Sequence, residues 1–187
     1  MLHKDMLKTE IEEILEDKGE FIQIDYLDRY LKDSPSIDMK KFAYLKLARI
    51  YLNRSMFENA ALMFKNAAIN SHTFSEQQDL YTKEAKCYIR AQRFDEVQNA
   101  MKKAFAEANK EERRKVYDEI VDYFKKVGLD YLSQGLPGKA MNVFERLIRM
   151  KLTLEDKNFA KEKLLDIYQR LGKRKEYDFL NSVSYEK

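Results

Sequence analysis

The chain has 187 residues, 36% of them charged, with only five glycines and two prolines, a composition typical of long helices with few irregular loops. Its formal net charge of +3 is too small to require a polyanionic partner, and a single cysteine, Cys87, excludes an intramolecular disulfide and favours a reducing compartment. Because no stretch approaches the roughly 18 apolar residues of a membrane-spanning helix and the N-terminus lacks the apolar run of a signal peptide, we expect a soluble, cytoplasmic protein without membrane insertion.

Apolar residues recur at helical spacing from the N-terminus onward. The first predicted helix covers residues 2–17, and Gly19 suits the left-handed position that follows a helix end. A second helix is predicted over about 21–32, and it must end before Pro35 because proline disfavours helical geometry in the preceding residue. Asp38 is a suitable N-cap for the helix that follows.

Eight further helices are predicted after this point. Three pairs of residues mark their ends, two by the spacing of a capping box and one by the order of glycine and proline: Ser75 with Gln78, Asn109 with Glu112, and Gly135 with Pro137. Thr153 caps one more helix. The predicted bounds are about 39–53, 56–70, 76–91, 94–108, 109–134, 137–150, 153–172 and 174–184. No segment alternates with a period of two, so the predicted fold class is all-α, with about ten helices.

A pattern of packing residues recurs when pairs of helices are aligned on a tyrosine. Its large and small residues suit two helices packed antiparallel, with alanine where the backbones approach most closely. The first copy contains Tyr44, Leu47, Ala48, Tyr51, Phe57, Ala60, Phe64 and Ala67. The second contains Tyr81, Glu84, Ala85, Tyr88, Phe94, Val97, Met101 and Ala104, and the third contains Phe124, Val127, Gly128, Tyr131, Pro137, Ala140, Phe144 and Leu147. The fourth retains Leu164, Leu165 and Tyr168.

These residues resemble the tetratricopeptide repeat (TPR) family, whose pattern has an aromatic residue, Leu-Gly/Ala and Tyr in the first helix, and Ala, Phe and Ala in the second. The resemblance covers about residues 41–171. The tyrosines on which the copies are aligned, Tyr51, Tyr88, Tyr131 and Tyr168, are successively 37, 43 and 37 residues apart, against a family period of about 34. These longer hairpins are similar to those of SNAP-type trafficking adaptors. The resemblance implies a right-handed α-solenoid of stacked antiparallel hairpins. Residues 1–38 would form an N-terminal capping hairpin, and residues 39–187 the repeat array with C-terminal capping helices.

The sequence contains no pattern typical of catalysis or of a metal site. His3, His72 and Cys87 lack metal-ligand spacing, and there is no glycine-rich phosphate loop, nucleophile elbow or helical His-Glu motif. Cys87 lies beside Tyr88 in the second repeat, where we expect a packed thiol rather than a nucleophile. We therefore predict a protein that is not an enzyme and needs neither cofactor nor metal.

The face of each first helix opposite the packing residues is rich in lysine and arginine. In the TPR family this face lines a concave groove that contacts peptide ligands, so the resemblance implies a peptide-binding groove in this chain. The predicted groove residues are Lys46, Arg49, Asn53, Lys83, Lys86, Arg90, Lys125 and Lys126. Lysine and arginine interleaved with apolar residues favour an acidic, partly apolar segment of another protein. The predicted function is a protein–protein interaction scaffold or adaptor that binds an acidic peptide or helix.

Two alternative functions remain open. The basic face together with twelve tyrosines would suit an RNA-associated helical-repeat scaffold, and an array would also suit a structural subunit that forms a homo-oligomer. The charge is unevenly distributed, with a balance of −5 over residues 1–40 and +8 over the remainder. The acidic N-terminal hairpin therefore either caps the apolar end of the first repeat or folds over a basic groove, its own or a neighbour's.

Overall fold

The structure, a computed structural model, describes residues 2–185, which form ten α-helices and no β-strand. The all-α prediction is therefore confirmed for this part of the chain. The first six helices are α1 (Lys8–Glu16), α2 (Glu20–Lys32), α3 (Ile37–Asn53), α4 (Phe57–Ile69), α5 (Phe74–Arg90) and α6 (Phe94–Ala104). The other four are α7 (Lys110–Ser133), α8 (Pro137–Ile148), α9 (Leu154–Arg170) and α10 (Arg174–Ser182).

The chain divides into two compact units, Met1–Arg113 and Arg114–Lys187. In the first unit each helix from α2 to α5 packs against the helix that follows it. In the second unit α8 packs against α9, and α9 packs against α10. The boundary predicted after residue 38 is a different kind of division, since it separates a capping hairpin from the repeats, and it stays a prediction.

The repeated packing residues form the cores of both units. Small residues at the helix contacts are completely buried, which lets neighbouring backbones approach closely. In the first unit the buried members of the pattern are Leu47, Ala48, Tyr51, Ala60, Phe64, Ala67, Glu84, Ala85, Val97, Met101 and Ala104. In the second unit they are Phe124, Val127, Gly128, Tyr131, Ala140, Phe144, Leu147, Leu164 and Tyr168. The assignment of these residues to a packing face is therefore confirmed.

The N-terminal segment departs from the prediction in two ways. Helix α1 begins at Lys8 rather than at residue 2, because Leu2 is buried in the core of the first unit and the backbone around it forms a turn. In that turn the amide of Met6 donates to the carbonyl oxygen of His3 over 3.1 Å. The left-handed conformation predicted for Gly19 is wrong, since its φ of −62° places it at the N-cap of α2 instead.

Two of the predicted N-caps are also wrong. Ser36 takes the N-cap position of α3, so Asp38 lies in the first turn, where its carboxylate still complements the helix dipole. Thr73, not Ser75, caps α5, and its hydroxyl oxygen accepts a hydrogen bond from the amide of Glu76 over 3.3 Å. Thr73 has the extended backbone that an N-cap needs, with φ −113° and ψ 145°, whereas Ser75 is already helical.

Other helix ends match the prediction. Asn109 and Glu112 form a full capping box, in which the Asn109 Oδ1 accepts from the Glu112 amide over 3.0 Å and the Glu112 carboxylate accepts from the Asn109 amide over 2.8 Å. Thr153 caps α9 by accepting a backbone hydrogen bond of 3.2 Å. Gly135 has a positive φ of 69° after α7, and Pro137 is the first residue of α8.

The same turn joins the first and second helices of all four repeats. The residue four positions after the aligned tyrosine is left-handed each time, with φ of 57° at Ser55, 58° at Gln92, 69° at Gly135 and 67° at Gly172. The next amide donates to the carbonyl oxygen of that tyrosine over 2.8 Å from Met56, 2.9 Å from Arg93, 2.9 Å from Leu136 and 2.8 Å from Lys173. This is the Schellman arrangement. Its recurrence shows that the tyrosine alignment matches equivalent backbone positions.

Replacing Gly172 by alanine is expected to lower the free energy of unfolding by about 1 kcal/mol, because an L-residue in the left-handed conformation is strained by about 1–2 kcal/mol. Alanine also lowers the conformational entropy of the unfolded chain, and this stabilising effect offsets only part of the strain. Gly138→Ala is the matched control, since Gly138 lies within α8, is not left-handed, and has open space where the new Cβ would lie. Urea unfolding of both variants checks the prediction. Equal losses at the two glycines would show that backbone conformation does not decide the effect.

Candidate protein-interaction face

The predicted groove residues of the first repeat lie on one face of α3, because positions three and four apart share a side of an α-helix. Arg49 and Asn53 are exposed. Lys46 is half-buried, forms an ion pair with Glu12 of α1, and places its Nζ 5.4 Å from the centroid of the Phe42 ring. Lys46 is therefore held against another helix, whereas Arg49 and Asn53 face solvent.

Helix α5 repeats the arrangement 37 residues later. Lys83 is exposed, and its Nζ lies 2.6 Å from the carboxylate of Asp79, one turn earlier. Lys86 and Arg90 are half-buried, and each takes part in an interaction within the chain. Lys83 is therefore the most accessible cation of this set.

Helices α3 and α5 are neighbours in the first unit. Lys41 of α3 lies 3.1 Å from the carboxylate of Glu76 in the first turn of α5. Asp38 of α3 lies 3.1 Å from Nε2 of His72, just before α5 begins. The structure thus brings two of the three predicted sets of groove residues onto adjacent helices.

The second unit holds the remaining two groove residues, and they differ in environment. Lys125 of α7 lies 3.1 Å from Asp122, forms an ion pair with Asp156 of α9, and lies 6.0 Å from the ring centroid of Phe159. Burial alone would lower the pKa of Lys125, but hydrogen bonds to the two carboxylates raise it above its ordinary value. Lys126 is exposed. Lys125 therefore links α7 to α9, and Lys126 is the accessible cation of the pair.

The acidic N-terminal hairpin both covers α3 and pairs with its cations. Ile11, Leu15 and Leu27 are buried in the same apolar cluster as Leu47 of α3. Because this burial removes apolar surface from water, packing of the hairpin stabilises the first unit. The hairpin also supplies the Glu12 carboxylate that pairs with Lys46, so one of the predicted groove lysines already has a carboxylate partner within the chain.

A second charge pair joins the hairpin to the end of α3. Glu20 of α2 lies 3.3 Å from the guanidinium of Arg54, which stacks 4.0 Å from the ring centroid of Phe21. Phe21 is 69% exposed, so the guanidinium covers part of an otherwise solvent-facing ring. A cleft of about 500 Å³ lies beside α1, and three glutamates contribute to its lining, which consists of Thr9, Glu12, Glu13, Leu15, Glu16, Gln23 and Lys46. Carboxylates of α1 and α2 therefore pair with Lys46 and Arg54.

A buried ion pair between α5 and α6 was not predicted. Glu84 is 2% exposed, and both of its carboxylate oxygens lie 2.7 Å from Nζ of Lys103. Burial raises the pKa of Glu84, although the hydrogen bond and charge of Lys103 lower it. Glu84 occupies the pattern position that holds Leu47 in the first repeat. A charged residue at an apolar position was the available signal, but its partner lies 19 residues away.

Cys87 lies in the core beside this pair. It is 4% exposed, which confirms the predicted packed thiol. Burial, followed by the negative charge of Glu84, raises its pKa to about 12, so the thiol is protonated at neutral pH. Residues 2–185 contain no group of three side chains placed to hold a metal ion.

Comparisons with family models, with curated proteins and with solved structures gave no match to this chain. None of the helices formed by the described residues has an apolar stretch of the length needed to cross a bilayer. The accessible members of the candidate site are Arg49, Asn53, Lys83 and Lys126.

Proposed function

We propose that this chain is a non-catalytic scaffold or adaptor whose first helices bind an acidic peptide or helix of another protein. The proposal includes the TPR-like stacking of the hairpins into a right-handed solenoid, which would place the first helices along one concave surface. Stacking suits hairpins that cannot bury their apolar faces alone.

One observation supports the proposal most directly. Each of the neighbouring helices α3 and α5 buries its packing face and exposes a basic residue on the opposite face. Arg49 is solvent-exposed, and Lys83 is exposed and forms a surface ion pair of 2.6 Å with Asp79 of its own helix. Exposed pairs of this kind contribute little to stability, so a carboxylate of a partner can replace Asp79 at small cost.

Charge reversal of these two residues tests the proposal. The Arg49→Glu/Lys83→Glu variant is expected to bind an acidic peptide at least tenfold more weakly than the unmodified chain, because two attractive contacts become repulsive. The probe is a fluorescein-labelled twelve-residue peptide of alternating glutamate and leucine, and anisotropy gives the affinity. The matched control is Lys102→Glu/Lys175→Glu, which changes the net charge equally at two exposed lysines outside the first helices.

The control also separates this function from the alternatives. If both double variants weaken binding equally, net charge and not the proposed face is responsible. Competition by polyuridylate, with affinity falling steeply as salt rises, would indicate an RNA-associated scaffold instead. A molar mass that rises with protein concentration in light scattering would indicate a self-associating subunit.

A further inference from the structure

A short non-helical strap, residues 2–7, precedes α1 and begins at a buried anchor. Leu2 is 3% exposed and belongs to the apolar cluster of the first unit, and Met6 packs partly buried against that cluster. Residues 3–5 between them are exposed, and Leu7 at the start of α1 is 66% exposed. The strap therefore packs on the unit through one fully buried side chain and one partly buried one.

The backbone of the strap forms local hydrogen bonds. The amide of Met6 donates to the carbonyl oxygen of His3 over 3.1 Å, and the amide of His3 lies 3.4 Å from the sulfur of Met6. The amide of Leu7 donates to the carboxylate of Glu10 over 2.7 Å. These bonds set the shape of the strap and the first turn of α1, and they do not fix the strap to α2.

A buried hydroxyl in α2 opposes closure of the strap. Tyr30 is completely buried in the same cluster as Leu2, and its hydroxyl has no hydrogen-bond partner within the residues that the structure describes. Burial, followed by the negative charge of Asp5, raises the pKa of Tyr30, which indicates that the strap lies close to this hydroxyl. A hydroxyl that loses its hydrogen bonds to water and gains none in the protein destabilises the closed state.

The contributions for and against closure are similar in size. Burial of one leucine side chain favours closure by an amount comparable to the cost of one buried hydroxyl without a partner. Partial burial of Met6 adds to the first contribution, and ordering of the exposed residues 3–5 adds to the second. Segments with such a small net stability open locally while the rest of the fold remains intact.

We propose that the strap opens and closes on the folded first unit and reversibly covers the apolar surface around Tyr30. In the open state Leu2 leaves the apolar cluster, and water reaches the hydroxyl of Tyr30. The hydroxyl thereby sets the population of the open state, because it is hydrated there and has no partner when the strap is closed. The inference is independent of the proposed peptide binding, since it involves none of the candidate-site residues.

Thiol labelling of the full chain measures the opening. In the Leu2→Cys variant the introduced thiol reacts with iodoacetamide when the strap is open, whereas Cys87 is 4% exposed and reports unfolding of the unit. We expect the introduced thiol to react faster than Cys87 by roughly tenfold or more, with mass spectrometry resolving the two sites. Equal rates would show that the strap opens only when the unit unfolds, and would overturn the proposal.

Removal of the Tyr30 hydroxyl tests its role. In the Leu2→Cys chain, Tyr30→Phe is expected to slow labelling of the introduced thiol about tenfold, because the closed state no longer contains a hydroxyl without a partner. The matched control is Tyr26→Phe, the same change at a partly buried tyrosine of α2, and it is expected to leave the rate unchanged. An unchanged or faster rate in Tyr30→Phe, as when an enclosed water satisfies the hydroxyl, would overturn the proposal.

Trypsin cleavage after Lys4 repeats the comparison with Leu2 unchanged, so the result does not depend on how well cysteine replaces the anchor. A protease binds its substrate as an extended segment, so the turn at residues 4 and 5 must open before cleavage. Leu2→Ala is expected to speed the cleavage, Tyr30→Phe to slow it, and Tyr26→Phe to leave it unchanged. Cleavage of Tyr30→Phe as fast as that of Tyr26→Phe would contradict control of the strap by the hydroxyl.

Discussion

Lys103→Met is expected to lower the free energy of unfolding by about 2–4 kcal/mol at neutral pH, because it leaves the carboxylate of Glu84 buried without its counter-ion. Glu84 is 2% exposed and receives both contacts of 2.7 Å from this ammonium. The range lies below that of a fully buried pair because the Lys103 side chain is 33% exposed, and solvent screens part of the interaction. Methionine preserves most of the aliphatic length, so the loss of charge dominates the effect.

The cost of Lys103→Met depends on pH in a defined direction. Burial raises the pKa of Glu84 in the folded chain, whereas Lys103 and, more weakly, Lys65 lower it. The folded state therefore binds a proton at Glu84 more readily than the unfolded state, and its contribution to stability falls as pH rises between the unfolded and the raised folded pKa. Removing Lys103 raises the folded pKa further. The difference between variant and unmodified chain is then small in acid and largest above the variant's pKa.

Urea unfolding of both chains across the acid-to-neutral range measures this difference. Carboxylates common to both chains contribute equally to their pH dependence, so subtracting one free energy of unfolding from the other removes that contribution. The control is Glu84→Leu/Lys103→Met, which restores the leucine found at this position in the first repeat. Since replacing a buried ion pair by apolar residues is often neutral or stabilising, the double variant should lie within about 1 kcal/mol of the unmodified chain or above it. A loss in Lys103→Met that does not change with pH would contradict the explanation by charge.

Local sequence signals predict most of the helices of this fold. The period of apolar residues and the capping box at Asn109 act within a few residues, and these predictions agree with the structure. The predictions that fail concern helix starts, which local signals do not decide. Residues before Lys8 leave the helix because Leu2 packs into a core formed by helices distant in sequence. The choice of Thr73 over Ser75 as a cap depends on which of two similar hydroxyls precedes the first helical turn.

The candidate site is less predictable because accessibility depends on neighbouring helices. Lys125 and Lys126 are adjacent in sequence, yet only Lys125 meets Asp156 of α9. Lys46 likewise meets Glu12 of α1. Helical spacing correctly places such residues on a face, but it does not show which cations are already paired. For the buried Glu84, the sequence pattern identifies the position in the repeat but does not identify Lys103 as its partner.

Gly128→Ala is expected to lower the free energy of unfolding by about 1–3 kcal/mol, because the added methyl group overpacks the core of the second unit. A Cβ at this position would lie less than 3.0 Å from three ring atoms of Phe144. Phe144 is completely buried, and its ring lies edge-on to Phe159 with centroids 6.1 Å apart. The ring therefore has little room to retreat, and the clash exceeds the gain of about 1 kcal/mol in helix propensity from glycine to alanine.

Two comparisons make the result specific to the contact with Phe144. Gly138→Ala is the same substitution in α8 with no heavy atom within 4 Å of the new Cβ, and it is expected to be neutral or slightly stabilising. Phe144→Leu shortens the clashing side chain, so Gly128→Ala should cost less in that background than in the unmodified chain. A double-mutant cycle measured by urea unfolding gives this coupling. Additive effects would show that the repeat glycine is required by something other than the approach of the Phe144 ring.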